Sequence, residues 1–210
     1  MARGWRYARL GRIWAGILAV LLSTVGAQEE GLYAPAPPAD AAFVRVLNMG
    51  TGEVTPSLGA TNFERLAYGA VSPYRVVLQG SADLSAGDVT ETLELAAGRF
   101  YTVLLGSAVT LLEDPTLENR ARTLLLLYNA SENPVNLKTA DGATDVIPDV
   151  AALEVGSIEV NPISVAFGAF SGDTALSTFD ALQLRRGAAY STFVLPDDTA
   201  IFMQNTTATE

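Results

Sequence analysis

The chain has no histidine and no cysteine, and its only lysine is Lys138. Without histidine it lacks the usual general base, the commonest metal ligand and the Ser-His-Asp relay. Paired carboxylates or a Ser-Lys arrangement could still support catalysis, but Lys138 has no serine beside it. Ser171-Gly172-Asp173-Thr174 contains the Gly-Asp of a G-D-S esterase motif. The serine that must follow is replaced by Thr174, and no D-x-x-H lies downstream, so a polar hairpin turn is the expectation. The acids Glu29-Glu30, Asp197-Asp198 and Asp141 with Asp145 lack the dense oxygen-ligand spacing of a calcium loop. Arg120-Ala121-Arg122 and Arg185-Arg186 read as surface pairs on an acidic protein, with an anion pocket as the alternative. Lys138, just before the Asp141-Gly142 turn, is the candidate contact for an acidic partner, with Asp141 beside it. These residues lead to no expectation of a catalytic group, a metal site or a cofactor.

The elements that would hold such contacts begin behind a leader. Arg3, Arg6, Arg9 and Arg12 form a basic n-region, Ile13 to Val25 is mostly apolar, and Val25-Gly26-Ala27 places small residues at −3 and −1. Residues 1–27 therefore read as a signal peptide cleaved before Gln28, the apolar run being short for a bilayer span of about 20 residues. No second long apolar run follows, so no transmembrane segment is expected in the mature chain. Removing four of 13 cations leaves nine against 23 acids, a net charge of −14. A field of that sign repels nucleic acid, which is set aside, and disfavours direct binding of an acidic polymer. Without disulfides, an exported chain must rely on its core.

Residues 28–42, QEEGLYAPAPPADAA, contain three prolines and read as an extended arm. Leu32, Tyr33 and Pro35 in it are candidate partner contacts, since an aromatic and a leucine are otherwise idle there. From Phe43 the apolar period becomes two, and short runs (Tyr74 to Leu78, Leu93 to Leu95, Tyr101 to Leu105) alternate with Gly- and Ser-rich turns. That pattern predicts small antiparallel β-sandwiches or barrels. The pattern then repeats. Leu124 to Asn129 matches Phe43 to Asn48 with an offset of 81, Asn on Asn. LELAAGRFY (93–101) and LQLRRGAAY (182–190) share L-x-L-x-x-G-x-x-Y with an offset of 89, Gly98 and Gly187 being read as hairpin turns. The expected fold is all-β: two tandem small antiparallel β-sandwich-like domains from an internal duplication. Their spans are 43–112 and 122–204, joined by a linker at 113–121, with a frayed end from Asn205.

Three stretches resemble the AlgF family of alginate biosynthesis accessory proteins: GLYAPAPPADAAFVRVLNMG (31–50), NASENPVNLKTADGATDVIP (129–148) and Glu159-Val160-Asn161-Pro162. The segment 67–87 carries no recognisable family pattern. The resemblance implies a non-catalytic periplasmic adaptor for O-acetylation of alginate or a similar exopolysaccharide. Its implied partners are periplasmic and membrane-associated acetylation proteins, the adaptor bridging membrane-bound acetyl-transfer machinery and SGNH-type acetyltransferases. Two other classes stay open from the residues themselves. One is a polysaccharide-binding β-sandwich module, although Trp5 and Trp14 both fall in the leader. The other is an atypical acetyl-transfer enzyme using Ser or Thr.

Overall fold

Period-two patterning produces short strands throughout residues 36–208, which the computed structural model describes. The first half comprises β1 (Ala41–Asn48), β2 (Ser57–Leu58), β3 (Thr61–Asn62), β4 (Arg75–Leu78), β5 (Gly80–Ala86), β6 (Val89–Leu95), β7 (Phe100–Leu105) and β8 (Val109–Glu113). The second comprises β9 (Thr123–Asn129), β10 (Val135–Thr139), β11 (Asp145–Val150), β12 (Val155–Val160), β13 (Ser164–Val165), β14 (Phe167–Ser171), β15 (Thr174–Thr178), β16 (Leu182–Gln183), β17 (Ala189–Val194) and β18 (Ala200–Gln204). No helix occurs among the described residues, so none there is long and apolar enough to cross a membrane. The leader and the contacts read at Leu32, Tyr33 and Pro35 lie outside the described residues.

Each half is a sandwich. Sheet β4-β1-β7-β8 covers sheet β3-β2-β5-β6 around Val44, Val46, Leu58, Leu84 and Val103. Sheet β12-β9-β17-β18 covers sheet β11-β10-β14-β15 around Leu125, Leu127, Leu137, Phe167 and Tyr190. The duplication holds in hydrogen-bond detail. Asn48 Nδ2 donates to the carbonyls of Gly52 and Leu66, and Asn129 Nδ2 to those of Asn133 and Val150. Each asparagine also accepts, on Oδ1, the N–H two residues on. A buried carboxamide that closes its own loop this way leaves no polar atom stranded, which is why Asn recurs at the strand end.

Two expectations change. Strand pairs are antiparallel except the central ones, β1–β7 and β9–β17, which run parallel. The reason lies at Gly98 and Gly187, both at positive φ (72° and 74°). Their N–H groups donate to Ala41 O (2.7 Å) and Arg122 O (2.8 Å), at the entrances of β1 and β9. They are not hairpin turns: Gly98 carries the chain from β6 to β7 in the opposite sheet, and Gly187 carries it from the two-stranded β13–β16 sheet to β17, each beside the half's first strand. The sequence pattern marks the turn but not the sheet to which it leads. The strand boundary also moves: β1 opens at Ala41, inside the span read as arm, because Ala41 and Ala42 are buried and pair with Leu78 and Val77. The Ser171–Thr174 segment is the expected turn, Gly172 at φ 59° matching Gly87 at φ 61° between β5 and β6.

The unbroken apolar run of β9 follows from burial on both faces. Leu125 and Leu127 fill the second sandwich, while Leu124, Leu126 and Tyr128 join Leu47, Leu104, Phe193 and Leu195 in a third core between the halves. Each fully buried leucine contributes about 1.5–3 kcal/mol, so the two sandwiches are held face to face rather than tethered.

Candidate functional site

Charge is buried within that third core. Arg45 occupies the outward register of β1, between Phe43 and Leu47, yet its relative exposure is 1%. It donates from Nε to Thr102 Oγ1, from Nη1 to Asn205 Oδ1 and from Nη2 to Ser191 Oγ, each at 2.9 Å. Its guanidinium lies 4.6, 5.0 and 4.9 Å from the ring centroids of Tyr74, Tyr128 and Phe193. Asp114, which follows β8, is its counter-charge. Asp114 Oδ2 accepts from Tyr74 OH and Thr102 Oγ1, both at 2.7 Å, and Oδ1 accepts from Tyr128 OH at 2.8 Å. Thr102 therefore relays between cation and anion, accepting from Arg45 and donating to Asp114.

Burial pushes the Asp114 carboxyl above its ordinary value, opposed by Arg45 and the three hydroxyl donors. Burial also acts on Arg45 against its charge, but Tyr128, Tyr74 and Asp114 together outweigh it and the guanidinium is held above its usual value. Both phenols are raised, first by burial. They serve as neutral donors.

The same arrangement is repeated in the second half. Asp114 N–H donates to Phe100 O (2.8 Å) and Asn205 N–H to Ala189 O (2.9 Å), so Asp114 and Asn205 are equivalent positions, as are Thr102 and Ser191. Thr102 donates to Asp114, and Ser191 Oγ donates to Asn205 Oδ1 at 2.7 Å. One half supplies an acid where the other supplies an amide, so a single arginine balances the cluster. The segment expected to fray is thereby fixed: Tyr74 N–H donates to Thr206 O (2.9 Å) and Ala208 N–H to Tyr74 O (2.8 Å). Asp114, read as linker, is 4% exposed. A shallow cleft of about 150 Å³ beside the cluster is walled by Tyr74, Phe100, Leu117, Leu124, Asn205 and Thr206, among others.

The cluster is chemically quiet. Ser191 gives its proton to an amide oxygen and receives a guanidinium, so no base acts on it. All the donors converging on Asp114 are hydroxyls, which occupy both carboxylate oxygens. Among the described residues no group of three or more acids is gathered to hold a metal ion.

Of the sites read from sequence, Lys138 and Asp141 lie elsewhere, on β10 and the turn that follows it in the second half. Lys138 is only 12% exposed in its side chain, 3.4 Å from Asp145 and 3.9 Å from Asp173, with Nζ 5.6 Å from the Phe170 ring centroid. Its charge is engaged within its own domain. Asp141 is exposed and accepts from Thr139 Oγ1 (2.6 Å) and Ala143 N–H (3.1 Å), and these hold its carboxyl below the ordinary value. Sequence reading missed Arg45, Asp114 and Asn205. The usable signal was a lone arginine at the period-two position between Phe43 and Leu47.

Two sandwiches joined through a buried cation–acid cluster define a duplicated, two-domain all-β protein. A family model described as "Alginate O-acetyl transferase AlgF" matches residues 17–191. The chain is 33% identical over 198 residues to the alginate biosynthesis protein AlgF of Pseudomonas fluorescens, covering 93% of this chain and 91% of that protein. It is 31% identical over 179 residues to AlgF of Pseudomonas aeruginosa, covering 84% and 83%. The chain belongs to the AlgF family. Among solved structures, the C-terminal domain of AlgF from P. aeruginosa covers 40% of this chain and 96% of that domain, at 30% identity and a TM-score of 0.36. The N-terminal domain covers 38% and 100%, at 25% identity and a TM-score of 0.34.

Proposed function

We propose that this protein serves O-acetylation of alginate, or a similar exopolysaccharide, as a non-catalytic periplasmic adaptor. The relatives named alginate biosynthesis protein AlgF support the pathway, and the leader at 1–27 supports export. The observation that carries the adaptor reading is the self-satisfied cluster between the halves. Its serine, threonine, tyrosine and aspartate side chains are buried and bonded to one another, consumed in holding two modules in fixed orientation. Fixed orientation is what a bridge requires: with two partners bound to one rigid body, the second meets the first at an effective concentration reaching the mM range. One partner class would be membrane-bound acetyl-transfer machinery, the other a periplasmic SGNH-type acetyltransferase. Leu32, Tyr33 and Pro35, with the exposed Asp141 turn that Lys138 leads into, are the proposed contacts.

Two measurements test the proposal. Co-purification of the exported chain with an SGNH-type acetyltransferase is expected to succeed, and acetyl-donor turnover by the isolated chain to stay at background. Turnover above background would overturn the adaptor reading in favour of the activity in the family's description. If Lys138→Glu and deletion of residues 28–35 both leave co-purification unchanged, the contact assignment fails.

A further inference from the structure

Arg120 and Arg122 lead into β9, and Arg185 and Arg186 lead into β17. Because β9 and β17 pair in parallel, both lead-ins lie at the same end of the sheet. Backbone contacts fasten them together. Gly187 N–H donates to Arg122 O (2.8 Å), Thr123 Oγ1 donates to Arg185 O (2.7 Å), and a Cβ on Gly187 would lie 3.5 Å from Arg120 O. Two arginine pairs, separate in sequence, thus become one cluster of four. Arg120, Arg185 and Arg186 are exposed, and Arg122 is half-buried.

The remaining five cations of the mature chain are all engaged. Arg45 is in the interdomain cluster, while Arg65, Arg75, Arg99 and Lys138 each lie within 4.0 Å of a carboxylate. None of the four clustered arginines has a carboxylate that close among the described residues. The acid best placed to serve them, Glu159, directs its carboxylate to the N–H groups of Glu118 (2.6 Å) and Asn119 (3.2 Å) and offers Arg122 only its backbone carbonyl (2.9 Å). Arg122 Nε is buried without a partner. In a chain with 23 acids, four neighbouring cations left unpaired repel one another and favour an external anion. Two aliphatic side chains flank them: Leu182 (37% exposed), three residues before Arg185, and Ile163 (54% exposed), whose carbonyl accepts from Leu184 N–H at 3.0 Å.

We propose that this end of the second domain docks on an anionic lipid bilayer, the arginines meeting headgroup phosphates while Ile163 and Leu182 enter the interface. Exposed aliphatics beside arginines fit a headgroup–acyl boundary. An acidic polysaccharide would instead call for ring platforms, and none of the exposed large apolar residues flanking the cluster is aromatic. The net charge of −14 does not prevent docking, since charges beyond the Debye length of about 8 Å are screened at physiological salt. The proposal is independent of the adaptor reading, because lipid vesicles contain no partner protein.

The test is vesicle co-sedimentation of the chain from Gln28 onward, so that the leader's own arginines and apolar run do not contribute. Vesicles are phosphatidylcholine alone or with a third phosphatidylglycerol. The expected result is binding to the anionic vesicles only, weakened by 0.5 M salt. Each arginine near an anionic surface is worth about fivefold in partitioning, so Arg185→Gln/Arg186→Gln should cost roughly 25-fold. Arg65→Gln, remote and ion-paired, should cost nothing. Circular dichroism checks the fold of each variant, and the salt titration tests the wild type without any substitution. Equal binding to neutral vesicles, no binding to either, or loss that is the same in Arg65→Gln would overturn the proposal. So would arginine-dependent retention on soluble polyuronate with no retention on anionic vesicles, which would assign the cluster to polymer.

Discussion

Replacing Arg45 by leucine, the residue at the equivalent position 126 of the second half, isolates what the buried charge contributes. The substitution leaves Asp114, 4% exposed, without a cation in the core between the sandwiches. Removing one member of a buried charge pair typically costs about 3–5 kcal/mol, because the other stays buried and uncompensated. For a folded body of this size each kcal/mol lowers Tm by about 2–4 °C, so a fall of roughly 6–20 °C is expected. The pH dependence follows from Asp114. Its folded pKa lies above the ordinary carboxyl value of 3.8, so the folded state holds the proton more tightly than the unfolded chain. Ionisation of Asp114 therefore costs stability as pH rises through the window above 3.8, and the cost is recovered on acidification. Loss of Arg45 removes the charge that opposes this rise, so the gap between variant and wild type should narrow as pH falls towards the ordinary carboxyl value. Adding Asp114→Asn, which gives the first half the amide already present as Asn205, should restore most of the loss. Urea unfolding followed by circular dichroism measures all three proteins. A single-variant cost below about 1 kcal/mol, or no rescue by Asp114→Asn, would show that Arg45 and Asp114 are not coupled as a pair.

Two further perturbations test packing. Ending the chain at Gln204 removes Asn205 from Arg45 and the paired segment from Tyr74. A loss of about 2–4 kcal/mol is expected in urea unfolding from these buried hydrogen bonds, against no change if that end were free. Gly156→Ala would place a Cβ 2.6 Å from both Ile147 and Val150. Overpacking between β11 and β12 should cost about 1–3 kcal/mol, visible as a lower urea midpoint with unchanged slope.

Much of the architecture is written in local pattern. Alternation in Phe43 to Asn48 marks a strand, and the paired L-x-L-x-x-G-x-x-Y segments mark the duplication, because each motif closes its own turn with its own atoms. The two asparagines at 48 and 129 do the same. What local pattern does not carry is the identity of a distant neighbour. Gly98 signals a turn but not that the next strand joins the opposite sheet. Asp114 beside Pro115 has the composition of a linker, and only the approach of Tyr128 from the second half and Tyr74 from the first buries it. Arg120-Ala121-Arg122 and Arg185-Arg186 each read as a surface pair, since the parallel pairing that unites them is a property of topology. Lys138 illustrates the reverse limit: proximity to a turn suggests exposure, yet Phe170, Asp145 and Asp173 draw its side chain onto the sheet.

The faces that meet between the sandwiches are built from equivalent positions: 45 with 126, 47 with 128, 102 with 191 and 104 with 193. An interface of a surface with its own counterpart is the geometry of a two-fold homodimer. The duplicated chain therefore presents, as one molecule, the association that a single sandwich could make only between two subunits. Covalent fusion removes the dependence of that association on concentration and lets the two sides diverge. One side carries a cation where the other has leucine, and one carries an acid where the other has an amide. A pairing of identical subunits could not have made that exchange, since any arginine it acquired would have appeared twice.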